Sequence, residues 1–157
     1  MIAYLPPALF VISWICALVG WEAPGANSGT PFDENALRWM LFLGMGWSIL
    51  GGSVSHTIFA KQTAKAIGWQ SNGFQYEVGF ASLGIGLAGI VASNSTDSTA
   101  WICAALAGGI FLFLAGVNHI RDMVRDKNYA PGNTVIMLSD FGVPISLLVL
   151  LISTGAI

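Results

Sequence analysis

The chain has 157 residues, of which 55% are hydrophobic and only 9% are charged, and its mean hydropathy is +0.71. A soluble domain carries about 25% charged residues, so this composition excludes a chain that covers itself with a polar surface and indicates an integral membrane protein. The formal net charge of −2 gives no reason to expect a nucleic-acid partner.

Five apolar segments follow one another along the chain. Each approaches the length of about 20 helical residues that a hydrocarbon core of roughly 30 Å requires. We place them at about residues 2–20, 37–59, 75–92, 100–120 and 134–152. Because backbone groups in lipid must be hydrogen-bonded internally, such segments predict an all-α fold. The sequence therefore predicts that residues 1–157 form a single integral membrane domain, a polytopic transmembrane helical bundle of five helices.

The basic residues predict the orientation of this bundle. Five of the six lie in two loops, between the second and third segments and between the fourth and fifth: Lys61, Lys65, Arg121, Arg125 and Lys127. These two loops share one side of the membrane. Cytoplasmic loops carry an excess of lysine and arginine, so we expect the N-terminus in the cytoplasm and the C-terminus outside.

Four of the predicted helices each bring one ionisable residue to a similar depth near the inner face: His56, Glu77, His119 and Asp140. Helical spacing places Glu77 on one face with Ala81, Gly84 and Ala88, a small-residue face suited to close helix packing. Ionisable residues inside a membrane are costly and are usually paired. We therefore expect the four side chains to point into the bundle and to meet.

Two imidazoles and two carboxylates are a plausible ligand set for a divalent metal such as zinc, manganese or iron(II). Pro144 strengthens this hypothesis, because it has no N–H to bond the carbonyl of Asp140 and so frees a further oxygen. Other interpretations stay open at this point. The same residues suit a hydrogen-bond cluster that only locks the helices, a haem held by paired histidines, a quinone site or a proton path.

Small-residue faces predict partners beyond the lipid bilayer. Gly44, Ser48 and Gly52 lie on one face of the second segment, and Ala104 and Gly108 lie on one face of the fourth. Such faces support helix association in membranes. We expect a homo-oligomer or a place in a larger membrane complex. The favoured function is that of a small multi-pass membrane protein with the cluster of four residues as its site; the alternatives are a structural or accessory subunit and a haem- or quinone-binding redox protein.

Two runs of sequence carry a resemblance to a known family. They read HTIFAKQTAKAIGWQSNGFQYEVGFASLGIGLAGI from His56 to Ile90 and NHIRDMVRDKNYAPGN from Asn118 to Asn133, with Asp140 and Pro144 after them. They resemble an uncharacterised, domain-of-unknown-function family of small bacterial multi-pass membrane proteins. Its usual pattern reads like GHxFF, IGW, SPFQxE, GHIRxM, APGN and DxxxP. The resemblance implies a bacterial inner-membrane location and falls on the same four ionisable residues.

Overall fold

A computed structural model describes residues 2–157, and all regular structure in that range is helical. A 3-10 turn at Ile2–Tyr4 leads into the first helix. The helices are α1 (Leu5–Leu18), α2 (Phe32–Trp39), α3 (Ser48–Thr57), α4 (Ala60–Ile67), α5 (Gly73–Ser93), α6 (Ser98–Asp126), α7 (Pro131–Thr134) and α8 (Met137–Ser153). A π-helical segment, Met40–Trp47, joins α2 to α3 without a loop. The predicted all-α class is confirmed.

Three helical spans are long and apolar enough to cross a membrane: Gly73–Ser93 (α5), Ser98–Asp126 (α6) and Pro131–Ser153, which contains α7 and α8. Helix α1 is apolar but shorter. The helical run over residues 32–57 is divided into three parts by its π segment, and its first part carries Asp33, Glu34 and Arg38. The predicted count of five membrane helices is therefore not reproduced by length and hydropathy alone.

The π segment turns three consecutive buried residues toward three different helices. Gly44 faces α1, Met45 fills the space beside Gly108 of α6, and Gly46 packs against Ile90 of α5. Segments of π-helix are rare and usually occur as single wide turns. This one lies at the centre of the bundle. Gly44 and Gly108 are therefore both packed against residues of this chain.

The face of α5 that packs against the bundle is opposite to the predicted one. Its buried residues lie on the stripe Gln75, Gly79, Ser82, Gly86 and Gly89. A side chain added at Gly86 or Gly89 would meet backbone atoms of residues 41–50, so these glycines set the close approach of α5 to that helix. Glu77, Ala81, Gly84 and Ala88 are exposed. The prediction that this second stripe points inward is wrong.

A buried arginine closes the end of the bundle opposite the basic loops. Arg38 is 1% exposed. Its Nη1 donates to the carbonyl of Ser93 at 2.7 Å, while Nε and Nη2 donate to Glu34 Oε1 at 2.9 and 2.8 Å. The guanidinium also lies 5.1 Å from the ring centroid of Trp101. Arg38 thus ties α2 to the junction between α5 and α6.

The other end of the bundle carries the remaining basic side chains, all of them exposed: Lys61, Lys65, Arg121, Arg125 and Lys127. The 3-10 turn before α1 contacts α4 and α7, so the N-terminal end of α1 also lies here. The short helix α4 buries Ala60, Ala64 and Ile67 and exposes its two lysines. The ionisable cluster lies at this same end.

Candidate functional site

His119 is held in one orientation by a buried asparagine. Its Nδ1 hydrogen-bonds to Asn133 Oδ1. The amide of Asn133 donates to the carbonyl of Asn128 at 2.8 Å and to that of His119 at 3.4 Å, so its oxygen must be the atom that faces the imidazole. Since an amide oxygen only accepts, His119 Nδ1 carries the proton. In the neutral ring Nε2 is then left as an acceptor.

Asp140 lies opposite this free nitrogen. Its Oδ2 is 3.7 Å from His119 Nε2, longer than a direct hydrogen bond. Gly116 permits the approach of α8, because a methyl group there would lie 3.1 Å from Asp140 Cβ and 2.8 Å from Phe141 Cζ. Asp140 is 3% exposed, and its Oδ2 has no hydrogen-bond partner in the described part of the chain. A buried polar atom without a partner requires an explanation.

His56 supplies a second buried atom of this kind. Its Nδ1 has no hydrogen-bond partner among residues 2–157. Helix α5 passes close to it at Gly79, where an added methyl would lie 3.3 Å from His56 Cβ and 2.6 Å from Thr57 Cγ2. A glycine on a neighbouring helix therefore allows close packing at two places in the cluster: Gly79 of α5 beside His56, and Gly116 of α6 beside Asp140.

One cavity connects the three ionisable side chains. It has a volume of about 410 Å³, and its lining includes His56, His119 and Asp140 together with Ser48 and Ser82. Most of the remaining wall is apolar. The residues that carry the unpartnered atoms thus line a space large enough for a small molecule or for several waters.

Trp69 covers His119 from the loop between α4 and α5. The two rings are stacked, with centroids 6.0 Å apart and planes at 21°. The indole Nε1 donates to the buried carboxylate of Asp122 at 2.7 Å. Gly68 precedes Trp69 with φ of 85°, a left-handed conformation that glycine adopts without strain. The IGW motif therefore ends α4 and directs the indole onto His119.

The segment from Asn128 to Asn133 is a scaffold for the same histidine. Asn128 Nδ2 donates to the carbonyl of Ile67 at 2.8 Å. Gly132 is packed so closely against the carbonyl of Ala66 that an added methyl would lie 2.8 Å from its oxygen. These contacts fix the loop on α4 and hold Asn133 beside His119. The NYAPGN run thereby acquires a structural role.

Glu77 does not join the cluster. Its side chain is exposed on the outer face of α5, whereas His56, His119 and Asp140 share the cavity. In the part of the chain that the structure describes, no three His, Cys, Asp or Glu residues lie close enough together to hold a metal ion. The four-residue metal site predicted from the sequence is therefore not assembled, because Glu77 and the buried stripe lie on different faces of one helix.

Several site residues escaped the reasoning from residue type and depth. Asn133, Trp69 and Ser82 carry no permanent charge, and Asp122 follows the basic residue that marked the end of the apolar segment. Two of them, Trp69 and Asn133, occupy named positions of the family pattern, in IGW and APGN. That pattern was the only signal for them.

The family model DUF6790, described as a family of unknown function, matches residues 3–156, so the chain belongs to this family. No curated protein and no solved structure matches the chain.

Proposed function

We propose that this family member is a multi-pass membrane protein whose buried site binds a small polar group and exchanges a proton with it. The site consists of His56, His119 and Asp140. The observation that carries the proposal is the pair of buried atoms without hydrogen-bond partners, His56 Nδ1 and Asp140 Oδ2, that belong to residues lining one cavity. Leaving such atoms unpaired would cost about 1–3 kcal/mol each, so we expect a polar group in the cavity, a water or a ligand, to pair with them.

The His119–Asp140 pair is suited to holding one mobile proton. Asn133 fixes the proton on Nδ1, so Nε2 and the carboxylate face each other as two acceptors across 3.7 Å. A proton can be shared between them, and a water beside them has a hydrogen for each. A ligand hydroxyl donates to one of them and accepts from Asp140 when the carboxyl group is protonated. A bound group can thus take a proton from this pair or leave one with it, without movement of the helices.

His56 is proposed as the member of the site that meets the aqueous side. A separate cavity of about 320 Å³ is lined by His56 and by the polar loop residues Gln70 and Asn72. His56 also lines the larger cavity. A proton that moves between the loop end of the bundle and the His119–Asp140 pair can therefore pass through His56.

The topology is proposed with five membrane segments, in which α1 and the helical run over residues 32–57 cross beside α5, α6 and the Pro131–Ser153 helix. The continuous helical path through the π segment supports the second crossing. The bacterial inner-membrane location is proposed from the family resemblance alone. A cytoplasmic N-terminus is proposed from the five basic residues at one end. Cysteines introduced at Ser28 and Asn128 should be labelled from opposite sides; labelling of both from one side contradicts it.

Assembly into a homo-oligomer or a larger complex is a second proposal. One observation favours it. The exposed stripe of α5 consists of Ala81, Gly84 and Ala88, and no atom lies within 4 Å of the position that a Gly84 methyl would occupy. A helix of a second chain can approach such a stripe closely. A monodisperse monomer in mild detergent would count against this assembly.

The proton-exchange proposal is testable because the chain has only two histidines. In protein labelled with ¹⁵N-histidine and reconstituted in lipid nanodiscs, each ring can be assigned by replacing the other. We expect both rings to change protonation reversibly with buffer pH while the helices stay folded. We also expect Asp140→Asn to change the His119 signals.

The matched control is Asp126→Asn. It removes an exposed carboxylate at the C-terminal end of α6, which lies at the same end of the bundle as Asp140. It should leave both rings unchanged. Imidazole signals that do not respond to pH over the whole range in which the protein stays folded would contradict proton exchange at this site.

A further inference from the structure

The cavity beside His119 reaches the outside of the bundle within its apolar part. Val78 and Leu114 line it and are 37% and 57% exposed. Both belong to helices long and apolar enough to cross a membrane, so in a bilayer this side of the cavity would lie next to lipid. A molecule dissolved in the bilayer therefore has a lateral way into the cavity.

The polar end of the cavity lies toward the loops. The smaller cavity beside it shares three of its lining residues, His56, Trp69 and Val78. A ligand entering from the bilayer would thus place its polar head near His56 and Asp140, at the loop end, and keep its apolar body against the wall. This is the arrangement that an amphipathic molecule adopts at a membrane interface.

The composition of the wall limits the charge of that head. Apolar residues make up most of it, among them Ile49, Ile67, Phe111, Leu112 and Ile136. The described lining residues include no lysine or arginine. A carboxylate or phosphate head would meet the Asp140 carboxyl group with no lysine or arginine to compensate it, and its transfer from water would be unfavourable.

The unpartnered atoms define what the head must offer. His119 Nε2 and Asp140 Oδ2 lie 3.7 Å apart, and a ligand hydroxyl beside them donates its single hydrogen to one of the two. When the carboxyl group of Asp140 holds a proton, the hydroxyl accepts from it and donates to Nε2, without bringing a charge into the apolar cavity. His56 Nδ1, on a different helix, needs a second polar group. An aromatic diol carries two hydroxyls on an apolar ring, one polar group for each of these positions.

We infer that the cavity binds the uncharged, hydroxyl-bearing head group of an amphipathic molecule from the bilayer, with an alkylated aromatic diol as the class that fits it. This inference rests on the proposed function, since it names the ligand of the same site. It assigns one hydroxyl to the His119–Asp140 pair and the other to His56. It involves binding only and no transfer of electrons.

The test uses the full chain in nanodiscs with ¹⁵N-histidine and decylhydroquinone, kept reduced under anaerobic conditions. We expect saturable shifts of both imidazole signals. Asp140→Asn should weaken binding about tenfold, the effect of losing one buried hydrogen bond. Asp126→Asn, at the same end but exposed, should bind as the unmodified protein does.

A second pair of variants covers the case in which Asp140→Asn fails to fold. Ala115→Leu fills the cavity from α6 and should abolish the decylhydroquinone shifts while both rings still respond to pH. Ala107→Leu makes the same change at an exposed position of the same helix and should preserve binding.

Other probes separate the two proposals. Saturation by decylammonium or decanoate, with no effect of decylhydroquinone, would overturn the diol assignment and leave proton exchange standing. Unchanged binding of decylhydroquinone in Ala115→Leu would overturn the assignment to this cavity. Rings that respond neither to the probes nor to pH would overturn the proposed function together with its ligand.

Discussion

The amide of Asn133 determines which nitrogen of His119 faces Asp140. Asn133 is fully buried, and its two donor bonds leave only its oxygen for the imidazole. The histidine therefore presents Nε2 to Asp140 as an acceptor. In soluble metal and catalytic sites a carboxylate or carbonyl often plays this orienting role. Here a neutral side chain plays it, which adds no charge to an apolar environment.

Asn133→Ala should release His119 from this orientation. The substitution leaves Nδ1 and the carbonyl of Asn128 without their partner, so the free energy of unfolding should fall by about 2 kcal/mol. The ¹⁵N spectrum should show both neutral tautomers of His119. Asn94→Ala, at an exposed position of the opposite end, should cost under about 1 kcal/mol and leave the spectrum unchanged. A single unchanged tautomer in Asn133→Ala would contradict the orienting role.

Gly116→Ala should separate α6 from α8 at the site. The added methyl would meet Phe141 and Asp140, so we expect a loss of about 1–3 kcal/mol from overpacking and altered His119 signals. Gly109→Ala is the control on the same helix, because its methyl would lie 3.6 Å from Pro144 Cβ, an ordinary contact. Unfolding in detergent micelles by denaturant measures both. Equal stabilities for the two variants would show that the approach at Gly116 is not tight.

Gly86→Ala and Gly84→Ala test which face of α5 is buried. At Gly86 a methyl would lie 2.9 Å from the carbonyl oxygen of Gly46, and we expect the bundle to lose about 1–3 kcal/mol. At Gly84 nothing lies within 4 Å, and alanine favours helix over glycine, so no loss is expected. The reverse order of stabilities would restore the inward stripe predicted from the sequence.

Arg38→Lys should weaken the contacts that hold α2 against the C-terminal end of α5. Lysine cannot reproduce the fork that bonds Glu34 and the carbonyl of Ser93 together, so we expect a loss of about 2 kcal/mol. Arg121→Lys changes an exposed arginine and should stay within about 0.5 kcal/mol. Thermal unfolding of the two variants in the same lipid decides the matter. A harmless Arg38→Lys would mean that the charge alone suffices.

Glu77→Gln should be nearly silent. The carboxylate is exposed, so we expect a change within about 0.5 kcal/mol and unaltered signals of both histidines. Asp140→Asn in the same assay should alter His119. Elemental analysis provides the sharpest contrast. A metal that is present at one per chain and lost in Glu77→Gln would revive the four-residue site.

The ionisable cluster was partly predictable. The depth of His56, His119 and Asp140 along their helices predicted that they lie at one end of the bundle. In the structure all three line one cavity. Depth alone could not exclude Glu77, which lies at the same level. Asn133 and Trp69 were not predictable by depth or charge. Trp69 lies in a loop and Asn133 in the short helix α7, and their contacts span 14 residues or more of sequence.

The sequence by itself determined the all-helical class and the apolar character of the helices, because both depend on composition and on local hydrogen bonding. Only the tertiary structure decided which face of each helix is inside. A helix in lipid lacks the contrast between polar and apolar faces that orients a helix in water. Helix α5 carries small residues on both its faces, at Ala81 and Gly84 as well as at Gly79 and Gly86. Which face of α5 is buried depends on the neighbouring helix over residues 41–50. Gly46 in that helix lets the two backbones come into contact, and only the packing of the bundle places that helix beside α5.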